Sequence, residues 1–150
     1  MKIVGFGNLE RGDDAAGVLV VQRLSEWGVD ARVATSAFDA WEAGDDVVLV
    51  DAMSTGREIG AIVVWEGSEF PELAQFRTST HDFGLAEMIG LARVLDRMPA
   101  RLRIYGIEGR HFSVGSELSA EVAKAVEDVA VKIAGEAQVA PRGMRQSATF

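Results

Sequence analysis

Lys2-Ile3-Val4-Gly5-Phe6-Gly7-Asn8-Leu9-Glu10-Arg11-Gly12-Asp13-Asp14 runs from a short apolar strand into a glycine-rich turn and ends on two adjacent acids. A strand entering a GxG turn usually makes a phosphate cradle, because backbone N–H groups and the start of a helix attract anions. Here Asp13 and Asp14 line the helix entrance, and Glu10 stands where a third glycine would be needed. Two carboxylates at that point repel a phosphate and attract a cation. The stretch therefore reads as half of a metal site at the head of an α/β domain.

Outward from this turn, strands and helices alternate. Lys2 to Gly7 reads as a buried strand, and Asp14 to Trp27 as an amphipathic helix with Val18, Val21 and Leu24 at helical spacing, stopped by Gly28. Ala31 to Ala34 is a short second strand. Asp46-Val47-Val48-Leu49-Val50-Asp51 is a third, continuous and β-branched as parallel-sheet interiors tend to be. Ala61 to Trp65 forms a fourth after the Ser54-Thr55-Gly56 turn. A helix is expected over Phe83 to Leu95, with Leu85, Met88, Ile89 and Ala92 on one side. Leu102 to Ile107 is a fifth strand, and Ser119 caps a last helix reaching about Gly135. This order predicts one three-layer α/β domain, a mostly parallel five-stranded sheet flanked by helices. The link between the Val47 and Ile62 strands has no helical pattern, and its shortness suits one antiparallel pairing there. Residues 1–135 make up the domain, and 136–150, with Pro141, Gly143 and Arg145-Gln146-Ser147, read as a mobile tail.

Composition narrows the functional classes. A chain of 150 residues with 48% hydrophobic and 25% charged residues matches one soluble globular domain. There is no cysteine, which removes disulfides, thiolate zinc sites and cysteine-protease chemistry. A net charge of −8 argues against nucleic acid as a partner, since that needs clustered Lys and Arg. No apolar run approaches the roughly 20 residues of a membrane span. Met1-Lys2 leads into a strand and not a signal peptide, so a cytoplasmic protein with no membrane partner is expected.

In open α/β sheets ligands bind outside the carboxyl ends of the strands. Asp14 follows the first strand, Asp51 closes the third, and His81 precedes the Phe83 helix. Two carboxylates and an imidazole suit nickel, zinc, iron or manganese. Asp13 or Asp14 equally suits the positive end of a helix. Asp51 is harder to explain as structure, because a charge closing the run Val-Val-Leu-Val sits at the edge of a core. In Ser79-Thr80-His81-Asp82 the neighbours already serve as caps, which leaves His81 as a ligand or proton carrier. His111 reads as solvated. Glu108 either faces the same crevice in a supporting role or pairs with Arg110 or Arg103. GxSxG, Walker A and HExxH are absent.

Four blocks carry a family likeness. Gly5-Phe6-Gly7-Asn8 with Gly12-Asp13-Asp14 and Gly17 is similar to the opening of hydrogenase maturation proteases. Val48-Leu49-Val50-Asp51-Ala52 with Gly56 and Gly60, Ser79-Thr80-His81-Asp82-Phe83-Gly84-Leu85, and Tyr105-Gly106-Ile107-Glu108 with Leu118-Ser119 and Val122 resemble that family's later blocks. The resemblance implies a phosphorylase/hydrolase-like fold and an endopeptidase that trims a C-terminal extension from a nickel–iron hydrogenase large-subunit precursor. It implies that Asp14, Asp51 and His81 are the metal-contacting and catalytic positions, and that the metal is nickel carried by the precursor. The stretch Thr35-Ser36-Ala37-Phe38-Asp39-Ala40-Trp41-Glu42-Ala43-Gly44 is shorter than the family's usual segment and looks more like the branch serving soluble or group-specific hydrogenases.

Two mechanisms stand open at this level. The metal polarises the scissile carbonyl or activates a water, or it only holds the precursor while Asp14 or Asp51 acts as base. Two other functions fit the scaffold: a non-proteolytic metal-binding assembly factor, and a small-molecule enzyme using the GxGN loop for an anion.

Overall fold

The computed structural model describes residues 1–34, 41–66 and 85–137. The elements are β1 (Lys2–Gly5), a 3-10 turn (Gly12–Ala15), α1 (Ala16–Glu26), β2 (Arg32–Val33), β3 (Asp46–Met53), β4 (Ile62–Glu66), α2 (Leu85–Val94), β5 (Arg101–Glu108) and α3 (Ala120–Glu136). The tail expected from 136 lies outside the described residues from 138 on, while α3 continues through Glu136. Among the described residues no helix is long and apolar enough to cross a membrane.

The five strands form one sheet in the order β2-β1-β3-β5-β4. β2, β1, β3 and β5 are parallel, and β4 runs antiparallel at the edge. The antiparallel strand was expected beside β3, and its partner is instead β5. The short link from β3 crosses one strand width at the carboxyl end, which leaves a slot that β5 fills from Arg101 to Glu108 against the whole of β3. β5 is thereby buried on both sides, and β4 takes the exposed edge with alternating burial.

Side-chain alternation divides the core into two layers. Ile3, Val48, Val50, Ala52, Tyr105 and Ile107 pack with α1 and α3 on one face of the sheet. Val4, Val47, Leu49, Met53, Leu102 and Ile104 pack with α2 and Trp41 on the other. Asp51 shares the parity of Leu49 and Met53, which puts it on the α2 side. At the amino end of the sheet Arg103, almost fully buried, bridges Asp46 at 2.9 Å and Glu136 at 2.8 Å. Tyr105 Oη donates to Glu136 at 2.8 Å. Burial, reinforced by that acceptor, pushes the Tyr105 phenol well above its ordinary value. This cluster ties the end of α3 to the sheet.

The expected helix from Asp14 begins differently. Gly12–Ala15 form a 3-10 turn, and the α-helix starts only at Ala16. The cause is the close approach of backbones at Gly17. A Cβ there would lie 2.5 Å from the Val50 carbonyl oxygen and would also strike the Phe6 carbonyl. Only glycine lets α1 settle this deeply over β1 and β3, and the 3-10 turn is the short connection that this depth permits.

Two substitutions of glycine by alanine test the arrangement. Gly17→Ala should lower stability by about 2 kcal/mol or more, because backbone atoms cannot yield to the added methyl. Gly135→Ala, in α3 with nothing near its Cβ position, should raise it by roughly 0.5–1 kcal/mol. Urea midpoints at unchanged m-values would read both effects.

Candidate functional site

The crevice follows from the strand order. After β1 the chain turns towards β2, and after β3 it turns towards β4 at the opposite edge. β1 and β3 are neighbours, so their carboxyl ends mark the switch at which α/β sheets bind ligands. Asp14 sits in the 3-10 turn that follows β1 and packs against β3. Asp51 sits in β3 itself, two positions before its end at Met53. The strand thus extends past Asp51, which was expected to close it. Asp14 is 3% exposed and Asp51 1%. Asp51 Oδ1 accepts the N–H of Ala52 at 2.8 Å. The structure brings the elements bearing these two carboxylates into contact. His81 lies outside the described residues, and among those described no group of three metal-type ligands assembles.

The turn carrying Asp14 is fixed from within and from without. Asn8 Oδ1 accepts the N–H of Glu10 at 2.8 Å, Asn8 N–H donates to the Asp14 carbonyl at 3.2 Å, and Asp14 N–H donates to the Arg11 carbonyl at 3.0 Å. From outside, Asp13 ties the turn to the loop after β5. Its Oδ2 accepts N–H groups of Arg110 at 2.8 Å and His111 at 3.0 Å, and the Ser119 hydroxyl at 2.9 Å. Its Oδ1 accepts the Ser119 N–H at 2.8 Å, and its own N–H donates to the His111 carbonyl at 2.8 Å.

Asp13 is therefore a structural knot that holds the turn bearing Asp14. Burial by itself would raise the Asp13 carboxyl, but the donors from His111, Ser119 and Arg110 outweigh it and hold it below its ordinary 3.8. Ser119 stands at the N-cap of α3 as expected, yet its hydroxyl serves Asp13 and makes no cap bond. The bond to a carboxylate is charge-assisted, and it turns the hydroxyl towards Asp13. The His111 side chain is exposed, and only its backbone takes part in the knot.

Glu108 was expected to pair with Arg110 or Arg103 if it did not face the crevice, and it pairs with neither. Arg103 is an odd number of positions away, on the other face and roughly 16 Å down the strand, where it meets Asp46 and Glu136. The backbone N–H and not the side chain of Arg110 is engaged, with Asp13. Glu108, 2% exposed, instead accepts the Thr55 hydroxyl at 2.6 Å and the Thr55 N–H at 3.1 Å on each oxygen. Nothing in the sequence pairs positions 55 and 108. The available signal was a carboxylate ending a buried strand, the same signal that singled out Asp51.

A sequence model described as hydrogenase maturation protease matches residues 33–136. That span takes in Asp51 and His81 and starts beyond Asp14. The chain is similar to a Methanocaldococcus jannaschii protein assigned to the same family, 29% identical over 147 residues, covering 89% of this chain and 94% of that one. It is similar to the NiFe hydrogenase maturation protease HybD from Thermococcus kodakarensis, with a TM-score of 0.67 and 28% identity over 90% of this chain and 96% of the other. The E. coli endopeptidase HybD shares the fold, with a TM-score of 0.70 at 22% identity over 95% of this chain and 97% of that one.

Asp13→Asn should cost about 1–3 kcal/mol, since an amide nitrogen cannot accept the N–H groups left facing it. The lowered Asp13 carboxyl gives stability that is complete above the ordinary value of 3.8 and lost as pH falls through the lowered one. Wild-type protein should accordingly lose more stability than the Asn variant on acidification below about pH 4, read from urea midpoints across that range.

Proposed function

Because this chain belongs to the hydrogenase maturation proteases, we propose that it removes a C-terminal extension from a nickel-loaded hydrogenase large-subunit precursor. The family makes it a hydrolase of the peptidase class. The observation that carries the finer reading is the burial of two carboxylates, Asp14 and Asp51, at the strand-order switch. Two hard oxygen donors together with an imidazole fit a divalent first-row metal.

We assign His81 as that imidazole. It precedes α2 by four positions, and α2 packs on the face of the sheet to which Asp51 belongs. The nickel belongs to the precursor and is part of the substrate. A divalent ion held there supplies Lewis acidity towards a carbonyl or a water. The chain's own residues provide the rest. Asp14, Asp51 and His81 hold the loaded precursor, and its empty counterpart lacks the group they recognise. One of the two carboxylates takes a proton from the attacking water, whose oxygen bonds to the scissile carbon. The C–N bond then breaks, and the proton passes to the leaving amine. Parallel strands β1, β3 and β5 form the floor on which Asp51 stands.

The test is intact mass spectrometry of the precursor, nickel-loaded and nickel-free, after incubation with the protein. Loss of a C-terminal peptide is expected from the loaded form alone. His81→Ala and Asp51→Asn should each slow it by about 10²-fold or more. Cleavage of the nickel-free precursor at the same rate would refute nickel recognition. Metal-dependent binding with no cleavage of any precursor would indicate an assembly factor.

A further inference from the structure

The connection that leaves β3, Ser54–Gly60, begins three residues past Asp51 at the carboxyl end of the sheet. It is exposed at Ser54, Gly56, Arg57 and Glu58, yet its backbone is tied down at Thr55, Arg57 and Gly60. Glu108 grips Thr55 by its hydroxyl at 2.6 Å and by its N–H. Gly60 N–H donates to the Glu108 carbonyl at 2.8 Å, Glu108 N–H donates to the Ala61 carbonyl at 2.8 Å, and Ala61 N–H donates to the Glu58 carbonyl at 3.0 Å. Gly60 also lies against the backbone of Glu121 in the first turn of α3. A buried carboxylate is a costly way to hold a surface connection, and an apolar contact would serve stability better. What it adds is a fixed position for the loop, the property a binding element needs.

Arg57 is the residue this clamp presents. Its guanidinium has no ion-pair or hydrogen-bond partner among the described residues, whereas Arg23, Arg101 and Arg103 are each engaged by carboxylates. Glu58 beside it is exposed and makes no pair with it, and Glu10 and Glu117 lie in the other loops at this end. Arg11 and Arg110 lie in those loops as well, so this end of the sheet carries charges of both signs.

We propose that Ser54–Gly60, held by the Glu108–Thr55 clamp, is the loop that anchors the substrate, with Arg57 taking a carboxylate of the segment to be removed. The proposal rests on the protease reading above. A segment cut from a C-terminus always ends in a carboxylate, and acidic side chains within it offer the same chemistry. Arginine's planar fork is suited to either. Glu108 acts only through Thr55 and is a positioning residue.

The experiment measures both cleavage kinetics and affinity for the loaded precursor. Arg57→Gln should raise KM and Kd about tenfold, the worth of one charge-assisted hydrogen bond, with most of the effect in KM and little in kcat. Thr55→Val should do the same to a lesser degree, and Thr55→Ser, which keeps the hydroxyl, should restore wild-type values. Arg97→Gln removes an exposed arginine beyond α2 and serves as the control without effect. Amidating the precursor's C-terminus should weaken wild-type binding and leave Arg57→Gln unchanged if the terminal carboxylate is the partner. Neutralising acidic side chains of the extension should do so if they are. Wild-type KM and Kd in both Arg57→Gln and Thr55→Val would overturn the anchoring loop. Tight binding by the wild type without cleavage would instead sink the protease reading, and affinity alone would then decide the loop.

Discussion

Everything at the functional end of this molecule depends on how closely α1 approaches the sheet. Gly17 rests its backbone on the carbonyls of Phe6 and Val50, and a single methyl group would prevent it. That contact draws the 3-10 turn down onto β3 and so brings Asp14 to the end of the sheet where Asp51 lies. Gly7 makes a similar approach to the Asp14 carbonyl. The glycines of the opening stretch are therefore read best as spacers between main chains. Their work is to let a helix and two strands meet with nothing between them, and the anion cradle they resemble is not what the buried acids beside them would accept.

Much of this was legible beforehand, for identifiable reasons. Asp51 stood out because four fully buried apolar residues precede it, and a charge in that company needs a purpose. The five strands and three helices were legible because buried parallel strands are continuous apolar runs and helices carry a 3.6-residue period. The partner of β4 was not, since strand order is decided by which strand fills a slot, and nothing local to Ile62–Glu66 encodes that. The division of labour between Asp13 and Asp14 was equally hidden. Adjacent identical side chains differ only in direction, and the donors that claim Asp13 come from Arg110, His111 and Ser119, far along the chain.

Four buried acids consequently stand in different settings at this end of the sheet. Asp13 and Glu108 are each satisfied by several donors and hold loops, while Asp14 and Asp51 occupy the switch in strand order. The sorting matters for interpretation of variants. Loss of activity on changing Asp13 would report a displaced turn, whereas changes at Asp14, Asp51 or His81 test the proposed reaction. A comparison of unfolding midpoints with rates separates the two cases.

The Asp13 knot has one consequence of another kind. Three of the five bonds around it use backbone N–H groups, and a fourth uses a backbone carbonyl. The main chain is common to every amino acid except for proline's missing N–H, so the side chains of Arg110 and His111 can drift over generations without loosening the floor beneath them. Descendants of such a scaffold are free to acquire new rims for new clients while the chemistry stays where it is.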